Sequence, residues 1–565
     1  MLCAPAVSRA PILAMYFRKK TTGGRAYLQI VESRREGGAV RQQVIATLGR
    51  IEDLRESGQL ERLLRSGARF SEKAIVLDAL DRGDAQVLAA RRIGPALVFE
   101  RLWQETGCRA VVDELAGGRK HDFSLERAAF LTVLHRLFCG GSDRAADRWR
   151  LDCRIEGVDS LDLHHLYRTM AWLGEELPEA EQDGATPFAP RCLKDLLEER
   201  LFARRRNLLT TLDVVFMDTT SLYFEGAGGR TLGRRGFSKD HRPDLRQMIL
   251  AVLLDGDGRP VCTEMWPGNT ADVGVLVPAI DRLQRRFRIA RVCVVADRGM
   301  ISAETIAELE ARKLLYVLGA RERTDKLVRE LVLHDPAPFV PFFKARRGHE
   351  IDYEAKAVAL AGRRYIVCRN LDQMNRDAAD RASIVAALAR QLQKGDKSLV
   401  GNKGYRRFLS KPDGRGFAID QAKVDEDAKF DGVFVLRTNA SLSPLEAMLV
   451  YKQLWVVERA FRTSKSLFET RPIWHKLDET IRGHVACSFL ALVLKKELED
   501  RLAADEGGRL SWPEVLADLE SLTETEVEQD GKRFLLRSAP RPAASRTLAA
   551  LGVALPPTLR QIDLA

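Results

Sequence analysis

The N-terminal third of the chain passes from strand-like alternation to helical periodicity. Between residues 16 and 50, apolar and polar positions alternate in AYLQIVES and VRQQVIATLG, on either side of the charged turn RREGG. Such alternation is typical of a half-buried β-hairpin. From about residue 54 to 206 the apolar residues recur at helical spacing, as in ALVFERLWQETG and LERAAFLTVLHRLF. We therefore expect a basic hairpin region over 1–53 and a helical region over 54–206.

The middle of the chain carries short runs that are almost wholly apolar. LDVVFMD, QMILAVLLD and VCTEMW follow one another through short turns, and RVCVVAD comes after the amphipathic segment VLVPAIDRLQRRF. This order predicts a three-stranded meander, a helix and further strands, which together form an α/β layer over 207–323. Residues 431–500 continue the layer with the strand GVFVLRTN and one long helix, LSPLEAMLVYKQLWVVERAFRTSK. Residues 324–430 between them are more polar and look like a β-rich insertion, and 501–565 look like a peripheral tail.

Size and charge limit the class of protein. The chain has 565 residues, 45% of them hydrophobic and 30% charged, which excludes a disordered or fibrous chain and predicts several domains. Ninety Lys and Arg residues against 79 Asp and Glu leave a net charge of +11. A basic surplus favours a polyanionic partner such as nucleic acid, although a basic surface kept for solubility is an alternative.

Cysteine usage and the absence of a long apolar run indicate a cytoplasmic protein. The nine cysteines are scattered and form no C-x-x-C pair, so we expect free thiols in a reducing compartment. The start of the chain lacks the pattern of a signal peptide, and either Met1 or Met15 fits the initiator. No apolar run approaches the roughly 20 residues of a membrane span, so no membrane association is expected.

Three carboxylates stand where a metal site could form. Asp218 and Asp297 end two of the apolar runs, and Glu458 lies on the predicted long helix. Two acids at the rim of a sheet and a third on a packing helix could hold two divalent cations about 3.5–4 Å apart. Mg²⁺ prefers such oxygen ligands. The alternative is structural, because an acid after a strand is often a turn former or helix cap, and an acid on a basic helix is often part of a surface ion pair.

Basic residues accompany these acids. The segment GRTLGRRGFSKDHRPDLRQ contains six Lys or Arg residues, among them Lys239 and Arg242. Around Glu458 lie Arg459, Arg462 and Lys465. Cations beside a metal-binding acid are useful if the substrate is a phosphate chain, whereas a solvated basic face is the simpler interpretation. The Gly-rich stretch GAGGR lacks the order of a P-loop, so no nucleotide cofactor is expected.

Taken in order, these segments resemble a known family. FMDTTSLYFEG, GFSKDHRPDLRQ, GRPVCTEMWPGNTAD, VVADRGM and YKQLWVVERAFRTSK are similar to the motifs of prokaryotic insertion-sequence transposases of the DDE type. The resemblance extends over roughly residues 212–494, and the N-terminal hairpin resembles the opening of one subgroup. It implies an α+β multidomain protein with a ribonuclease H-like α/β catalytic core, built on a mixed sheet. In this arrangement a β-rich insertion interrupts the core, and a β-hairpin and a helical DNA-binding region precede it.

The resemblance also implies roles for individual residues. Asp218, Asp297 and Glu458 would form the DDE triad and bind two Mg²⁺ ions, for which Mn²⁺ can substitute. The family's signature helix has the form Y-x2-R-x3-E-x6-K, which Tyr451, Glu458 and Lys465 match, whereas Leu454 occupies the Arg position. Tyr451 and Lys465 would contact the DNA backbone at the transposon end, and Arg459 or Arg462 would compensate for the missing Arg.

Further DNA contacts follow from the same resemblance. Lys239 and Arg242 would face the DNA, and His475 would approach it. Trp266 or Trp455 would stack on an extruded base, although a core tryptophan is the simpler role for each. Asp272, in the motif GNTAD, is interpreted as a turn residue. The helical region would read the terminal inverted repeats, and a homodimer would hold two ends together, with possible dimer contacts from 501–565.

The expected function is therefore a DNA transposase of the cut-and-paste type in a bacterial, nucleoid-associated setting. Three alternatives remain. A phosphohydrolase of the haloacid dehalogenase kind is disfavoured because Thr220 stands where that class has its second acid. A transposase-derived DNA-binding protein without catalysis and a ribonuclease H-like nuclease without strand transfer stay open.

Overall fold

The structure is a computed structural model. It describes residues 14–36, 39–68, 86–117, 119–182, 185, 189–205, 214–289, 292–320, 325–346, 349–360, 362–393, 407–411, 416–463, 470–504, 508, 510–529 and 532–562.

The described part of the chain contains both strands and helices. The strands are β1 (Ala14–Thr22), β2 (Arg25–Glu36), β3 (Ala39–Arg50), β4 (Gln86–Arg92), β5 (Val214–Tyr223), β6 (Gln247–Leu254), β7 (Pro260–Pro267), β8 (Cys293–Ala296), β9 (Leu315–Gly319), β10 (Val340–Arg346), β11 (His349–Leu360), β12 (Arg363–Asn370), β13 (Leu409–Ser410), β14 (Ala418–Ile419), β15 (Val433–Thr438), β16 (Thr523–Gln529), β17 (Lys532–Arg537) and β18 (Leu559–Ile562). The helices are α1 (Ile51–Glu56), α2 (Gln59–Ala68), α3 (Gly94–Glu105), α4 (Cys108–Ala116), α5 (Leu125–Phe138), α6 (Asp143–Trp149), α7 (Leu163–Leu173), α8 (Leu193–Arg205), α9 (Leu276–Phe287), α10 (Ala303–Ala311), α11 (Leu371–Leu392), α12 (Gln421–Ala428), α13 (Pro444–Lys452), α14 (Trp455–Arg462), α15 (Asp478–Ala503), α16 (Trp512–Glu520) and α17 (Pro542–Ala550).

The chain forms two compact units, and the first joins its two ends. This unit comprises the described parts of residues 1–91, 522–539 and 555–565. It contains the antiparallel sheet β1-β2-β3 and a four-stranded sheet in the order β18-β17-β16-β4. The stretch expected to be a peripheral tail therefore contributes three paired strands. Its hairpin β16-β17 is stabilised by the facing pair Val527 and Phe534, each 1% exposed.

The second unit, residues 92–521 and 540–554, contains helices α3 to α8 and the large sheet. Of the stretch 54–206 that was expected to be helical, α2 belongs to the first unit and residues 86–92 form strand β4. The longest helix of the second unit, α15, is buried along most of its length and contacts α5, α7 and β7. The helix carries apolar residues on all of its sides, as in its own run from Val485 to Leu494. It therefore packs as a central element of the unit. None of the described helices combines the length and the hydrophobicity needed to cross a membrane.

A nine-stranded mixed sheet forms the centre of the second unit. Its order is β10-β11-β12-β15-β9-β8-β5-β6-β7. The predicted meander β5-β6-β7 is antiparallel, and β8 and β9 follow parallel to β5. Strands β10, β11 and β12 belong to the stretch expected as an insertion, and they lengthen the same sheet through β15. The sheet is therefore continuous because β12, with Ile366, Val367 and Cys368 buried, pairs directly with β15.

The two faces of the sheet pack against different helices. Alternate residues of a strand point to opposite faces. Val215 and Met217 of β5 lie in an apolar cluster with residues of α9 such as Ile280. Phe216 and Leu222 lie in the other cluster, with residues of α13 and α14. The odd and even positions of β5 therefore face separate layers.

The segment expected as one long helix is two helices. Ser443 caps α13, with Pro444 in the first turn, and α13 ends at Lys452. The backbone N–H of Leu454 donates to the Tyr451 carbonyl, and that of Val457 to the Leu454 carbonyl, at 3.0 and 2.9 Å. These i→i+3 bonds tighten the chain into a turn between the helices. Leu454 is only 9% exposed, and its burial accompanies the break.

Candidate active site

Asp218 and Asp297 lie at the same edge of the large sheet. Asp218 is in β5, and Met217 before it pairs in parallel with Ala296, the last residue of β8. Asp297 follows Ala296 directly and is exposed. Asp218 was expected at the end of its strand, but β5 continues to Tyr223, so this acid lies in the middle of β5, just beyond the last residue that pairs with β8. Because β5 and β8 are parallel neighbours, Asp218 and Asp297 occupy adjacent positions where the pairing of these two strands ends. The apolar strands behind them provide a rigid support.

Glu458 reaches this region from the helix that covers the sheet. α14 packs against β5 and β6, with Val457 and Phe461 buried in the cluster that contains Phe216. Asp218 has the same strand parity as Phe216, so its side chain belongs to the face that α14 covers. Glu458 itself is exposed in the first turn of α14. α14 therefore packs on the face of the sheet to which Asp218 belongs, and Glu458 is one of the exposed residues of this helix.

The electrostatic environment of Asp218 is that of a half-buried acid among other acids. Loss of solvation is the main cause that raises the pKa of Asp218 to about 6, and the nearby Asp297 and Asp272 contribute to the rise. Lys239 and the Thr219 N–H, which donates to Asp218 Oδ1 at 2.7 Å, oppose this rise in pKa. A divalent cation would relieve the repulsion between the carboxylates, and an all-oxygen donor set suits Mg²⁺ or Mn²⁺. The residues present therefore fit a hard divalent ion.

These three acids do not form one tight cluster of ligand atoms. In the part of the chain that the structure describes, the one group of three with all ligand atoms within 4.8 Å is Asp162, His164 and His165. That group is the N-terminal cap of α7, where the Asp162 N–H donates to His165 Nδ1 at 2.9 Å.

Tyr451 is held directly against Asp297. Its hydroxyl donates to Asp297 Oδ1 at 2.9 Å. The residue at the end of β9, Gly319, makes this contact possible, because a Cβ there would collide with the Tyr451 hydroxyl. Tyr451 was expected at the DNA backbone, and in this structure its hydroxyl contacts an acid of the site. Leu454, at the signature's Arg position, packs into the core.

The cations expected around Glu458 have different surroundings. Arg459 forms an ion pair with Glu499, and its guanidinium lies 5.9 Å from the ring centre of Trp455. Arg462 is exposed at the end of α14. Lys465 lies outside the residues that the structure describes.

The remaining expected DNA contacts are mostly engaged within the protein. Arg242 pairs with Asp244 at 2.9 Å and is exposed. Trp266 is 4% exposed and lies in the core cluster beside α9. His475 is 13% exposed beside Asp143, and burial lowers its pKa to about 4.

Trp455 and Lys239 complete this set. Trp455 is 49% exposed, so of the two tryptophans considered for base stacking it is the accessible one. The Lys239 ammonium contacts Thr219 and Asp272.

Asp272 is the residue whose position sequence reasoning undervalued. It begins the 3₁₀ turn Asp272–Gly274, and its carboxylate pairs with Lys239 at 3.0 Å. This turn contacts the 3₁₀ turn Arg298–Met300 that follows Asp297. The motif GNTAD was the signal in the sequence, but this local pattern does not distinguish an Asp that forms a turn from an Asp that belongs to a site.

Comparisons with known proteins show the family of the chain. Residues 16–81 match the family model described as IS1634 family transposase, N-terminal domain. Residues 210–494, half of the chain, match the model described as Transposase DDE domain. No curated protein matches the chain. Among solved structures, a cryo-EM structure of a piggyBac transposase synaptic complex with hairpin DNA is 13% identical, with a TM-score of 0.34 over 75% of this chain and 79% of that one.

Proposed function

The chain belongs to the insertion-sequence transposases of the DDE type, and on that premise we propose that Asp218, Asp297 and Glu458 are its catalytic acids. Its substrate as a transposase is DNA, and the family depends on divalent metal ions. The single observation that carries the assignment of residues is the parallel pairing of Met217 with Ala296, which makes the first two acids neighbours at one sheet edge.

The core strands support a ribonuclease H-like arrangement. Three antiparallel strands, β5-β6-β7, are followed by β8 and β9, which extend the sheet on the other side of β5 in parallel. Asp218 then stands in the middle of β5, and Asp297 directly follows the end of its parallel neighbour β8. We place the catalytic core at 207–323 and 431–500, with strands from 324–430 added at one edge.

The three acids would bind two Mg²⁺ ions, with Mn²⁺ as a substitute. When bound, the ions lower the barrier of an in-line displacement at phosphorus by neutralising charge on the attacking and leaving oxygens. Asp218 provides a rigid, half-buried carboxylate. Asp297 and Glu458 provide exposed ones that DNA can approach, and Tyr451 orients Asp297 through its hydrogen bond. The same set of groups serves strand cleavage and strand transfer, since both are phosphoryl transfers.

The DNA would be the element's terminal inverted repeats and the target duplex. The net charge of +11 favours such a polyanion. Two of the expected cations are exposed and suited to contact phosphates: Arg462, and Arg242, which pairs with Asp244. A homodimer would hold two ends together, and the helices between 92 and 206 would read the end sequence.

The test uses purified protein and a labelled duplex that carries the element's own terminal repeat. In Mg²⁺ we expect cleavage at the repeat boundary, and Asp297→Asn should lower its rate by about 10³-fold, or ~4 kcal/mol of barrier. Asp257→Asn, an exposed acid in the turn between β6 and β7, is the matched control and should keep the wild-type rate. Binding without cleavage by the wild type in Mg²⁺ or Mn²⁺ would favour a DNA-binding protein without catalysis. Cleavage without any joined product would favour a nuclease.

A further inference from the structure

The ammonium group of Lys239 makes three contacts inside the protein. Its Nζ donates to the Thr219 carbonyl at 2.8 Å and to Thr219 Oγ1 at 2.9 Å, and it pairs with Asp272 Oδ2 at 3.0 Å. A lysine ammonium has three hydrogens, so each of them has an acceptor. A phosphate could bind Lys239 only by displacing one of these partners.

Thr219 and Asp272 close the same network. The Thr219 hydroxyl accepts from Lys239 and donates to Asp272 Oδ1 at 2.8 Å. Thr219 is 2% exposed, whereas the side chains of Lys239 and Asp272 are 28% and 25% exposed. Both carboxylate oxygens of Asp272 are thus engaged, and the lysine charge is neutralised where it lies.

The network lies directly behind the site. Thr219 follows Asp218 in β5, and its N–H donates to the Asp218 carboxylate at 2.7 Å. The pairing of β5 with β8 ends at Met217 and Ala296. One residue beyond Asp218, the Thr219 carbonyl takes its hydrogen bond from Lys239. The peptide groups on both sides of Thr219 are therefore oriented by side-chain contacts.

The loop that carries Lys239 is itself anchored. The Lys239 N–H donates to Ser221 Oγ at 2.9 Å, and Asp240 pairs with Arg471 at 2.7 Å. Gly236 lies so close to the Gly268 carbonyl that a Cβ would collide with it. The backbone before and after Lys239 is thus fixed by contacts with other parts of the fold.

Asp272 links this network to the second acid. Its 3₁₀ turn contacts the turn Arg298–Met300, which begins immediately after Asp297. Lys239 and Asp272 consequently join β5, which carries Asp218, to the turn that packs beside Asp297. We propose that Lys239 and Asp272 act as a positioning pair that sets the geometry of Asp218 and Asp297 for metal binding, and that Lys239 is not a phosphate contact. The inference rests on the proposed function, because it takes these two acids as metal ligands.

The first test measures Mn²⁺ binding to the full chain by isothermal titration calorimetry. A pure charge effect would tighten Mn²⁺ binding in Lys239→Gln and weaken it in Asp272→Asn. Lost positioning weakens both, by about 10- to 100-fold, as is usual when groups that orient metal ligands are removed. The double variant should bind Mn²⁺ no more weakly than the single variant that has the lower Mn²⁺ affinity, because both changes break one network. Opposite shifts in the two single variants, or unchanged affinity in both, would overturn the proposal.

The second test measures DNA binding against salt concentration. Removing a phosphate contact flattens the slope of log K against log[salt] by about 0.9. Lys239→Gln should keep the wild-type slope, while its single-turnover cleavage in Mg²⁺ falls by at least about tenfold. A slope reduced by about 0.9 with undiminished cleavage at saturating DNA would make Lys239 a phosphate contact and contradict the positioning role.

Two further variants separate the possible failures. Asp297→Asn should weaken Mn²⁺ binding if the proposed function is correct. If it does not, the assignment of the acids fails; if it does while Lys239→Gln binds Mn²⁺ normally, only the positioning pair fails. Thr219→Val removes the hydroxyl that both partners share and should reproduce the loss of affinity. It serves as the second variant if Lys239→Gln does not fold, as judged by circular dichroism.

Discussion

At the scale of single residues, burial separates the three acids of the site. Asp218 stands in a strand with apolar neighbours, whereas Asp297 and Glu458 are exposed. Burial, together with the neighbouring acids Asp297 and Asp272, raises the pKa of Asp218 to about 6. A carboxyl group with a raised pKa prefers the neutral form in the folded protein. Without a metal ion, Asp218 is therefore a destabilising residue at neutral pH.

This gives a prediction for the metal-free protein. The folded pKa of about 6 lies above the ordinary 3.8, so the cost of ionising Asp218 is absent below pH 4 and develops as the pH rises through 6. At pH 7.5 in EDTA, Asp218→Asn should unfold at higher urea concentration than the wild type, by on the order of 2–3 kcal/mol. The difference should disappear at pH 4. Asp257→Asn, which is exposed, should show no such pH-dependent gain, and a gain for Asp218→Asn that is equal at both pH values would contradict the explanation.

Tyr451→Phe tests the hydrogen bond to Asp297. The variant keeps the ring, which stacks on Phe434 with a centroid distance of 6.2 Å, and loses only the hydroxyl. A hydrogen bond to a charged group contributes about 1.5–3 kcal/mol, so cleavage should fall by about 10- to 100-fold with little change in thermal stability. The measurement is single-turnover cleavage at saturating DNA. If Tyr451 instead contacts the DNA backbone, affinity would weaken while the saturated rate stays the same.

At the scale of elements, local sequence patterns predicted which segments form strands but not which strands pair with one another. The runs LDVVFMD, QMILAVLLD and RVCVVAD became β5, β6 and β8, because four to eight buried apolar residues suffice to specify a strand. The pairing of β16 with the N-terminal region, and of β12 with β15, depends on residues far apart in sequence. No local period encodes such pairing. The end of an apolar run located the strand end before Asp297, whereas β5 continues through TTSLY beyond Asp218, whose polar residues gave no sign of a strand.

The break at residues 453–454 was not predictable for a different reason. Residues 441–465 have the amino-acid composition of a helix, and no Gly or Pro stands after Pro444 to mark the turn at residues 453–454. Burial of Leu454 in the core decides it, together with i→i+3 bonds in place of i→i+4 bonds. Tertiary packing thus overrides helix propensity at the point that orients Glu458.

A buried ion network joins three elements on the other face of the sheet. Its cations are Lys194, Arg282 and Arg286, and its carboxylates are those of Asp195, Glu198 and Glu264. α8, β7 and α9 each contribute members, and all six side chains are buried. Three charges of each sign balance, so the arrangement is stable only while it is complete.

Arg286→Met should therefore destabilise the protein strongly. Arg286 contacts Glu198 at 2.6 Å and Glu264 at 2.7 Å, and its loss leaves buried carboxylates without their cation. We expect a loss of about 3–5 kcal/mol in the free energy of unfolding. Arg285→Met, one residue away and exposed, is the matched control and should change stability by less than about 0.5 kcal/mol. Urea denaturation of the two variants side by side provides the comparison, and equal midpoints would show that the network is dispensable.

At the scale of the molecule, the surplus of cations and the buried ionisable groups have different roles. The exposed surplus of cations suits a DNA substrate, while buried charges in the helical part are neutralised or uncharged. Three histidines there are buried in neutral form. Burial, with the charge of Arg136, lowers the pKa of His135 and His475 to about 4 and that of His484 well below its ordinary value. Arg136 also donates to the His484 carbonyl at 2.6 Å, so this cation cannot easily move away.

These histidines predict a loss of stability under mild acid. Their folded pKa lies below the ordinary 6.5, so the unfolded chain binds more protons once the pH falls beneath that value. Stability is complete above pH 6.5 and decreases between pH 6.5 and 4, by up to ~3 kcal/mol for each of His135 and His475. His475→Gln should make the urea midpoint less dependent on pH in this range, whereas His164→Gln, which is exposed, should leave the dependence as it is. If both variants lose stability in parallel with the wild type, some other group is responsible for the acid transition. If only His475→Gln resists acid, the neutral histidines set the pH range in which the protein is stable. DNA cleavage assays should then be carried out above pH 6.5.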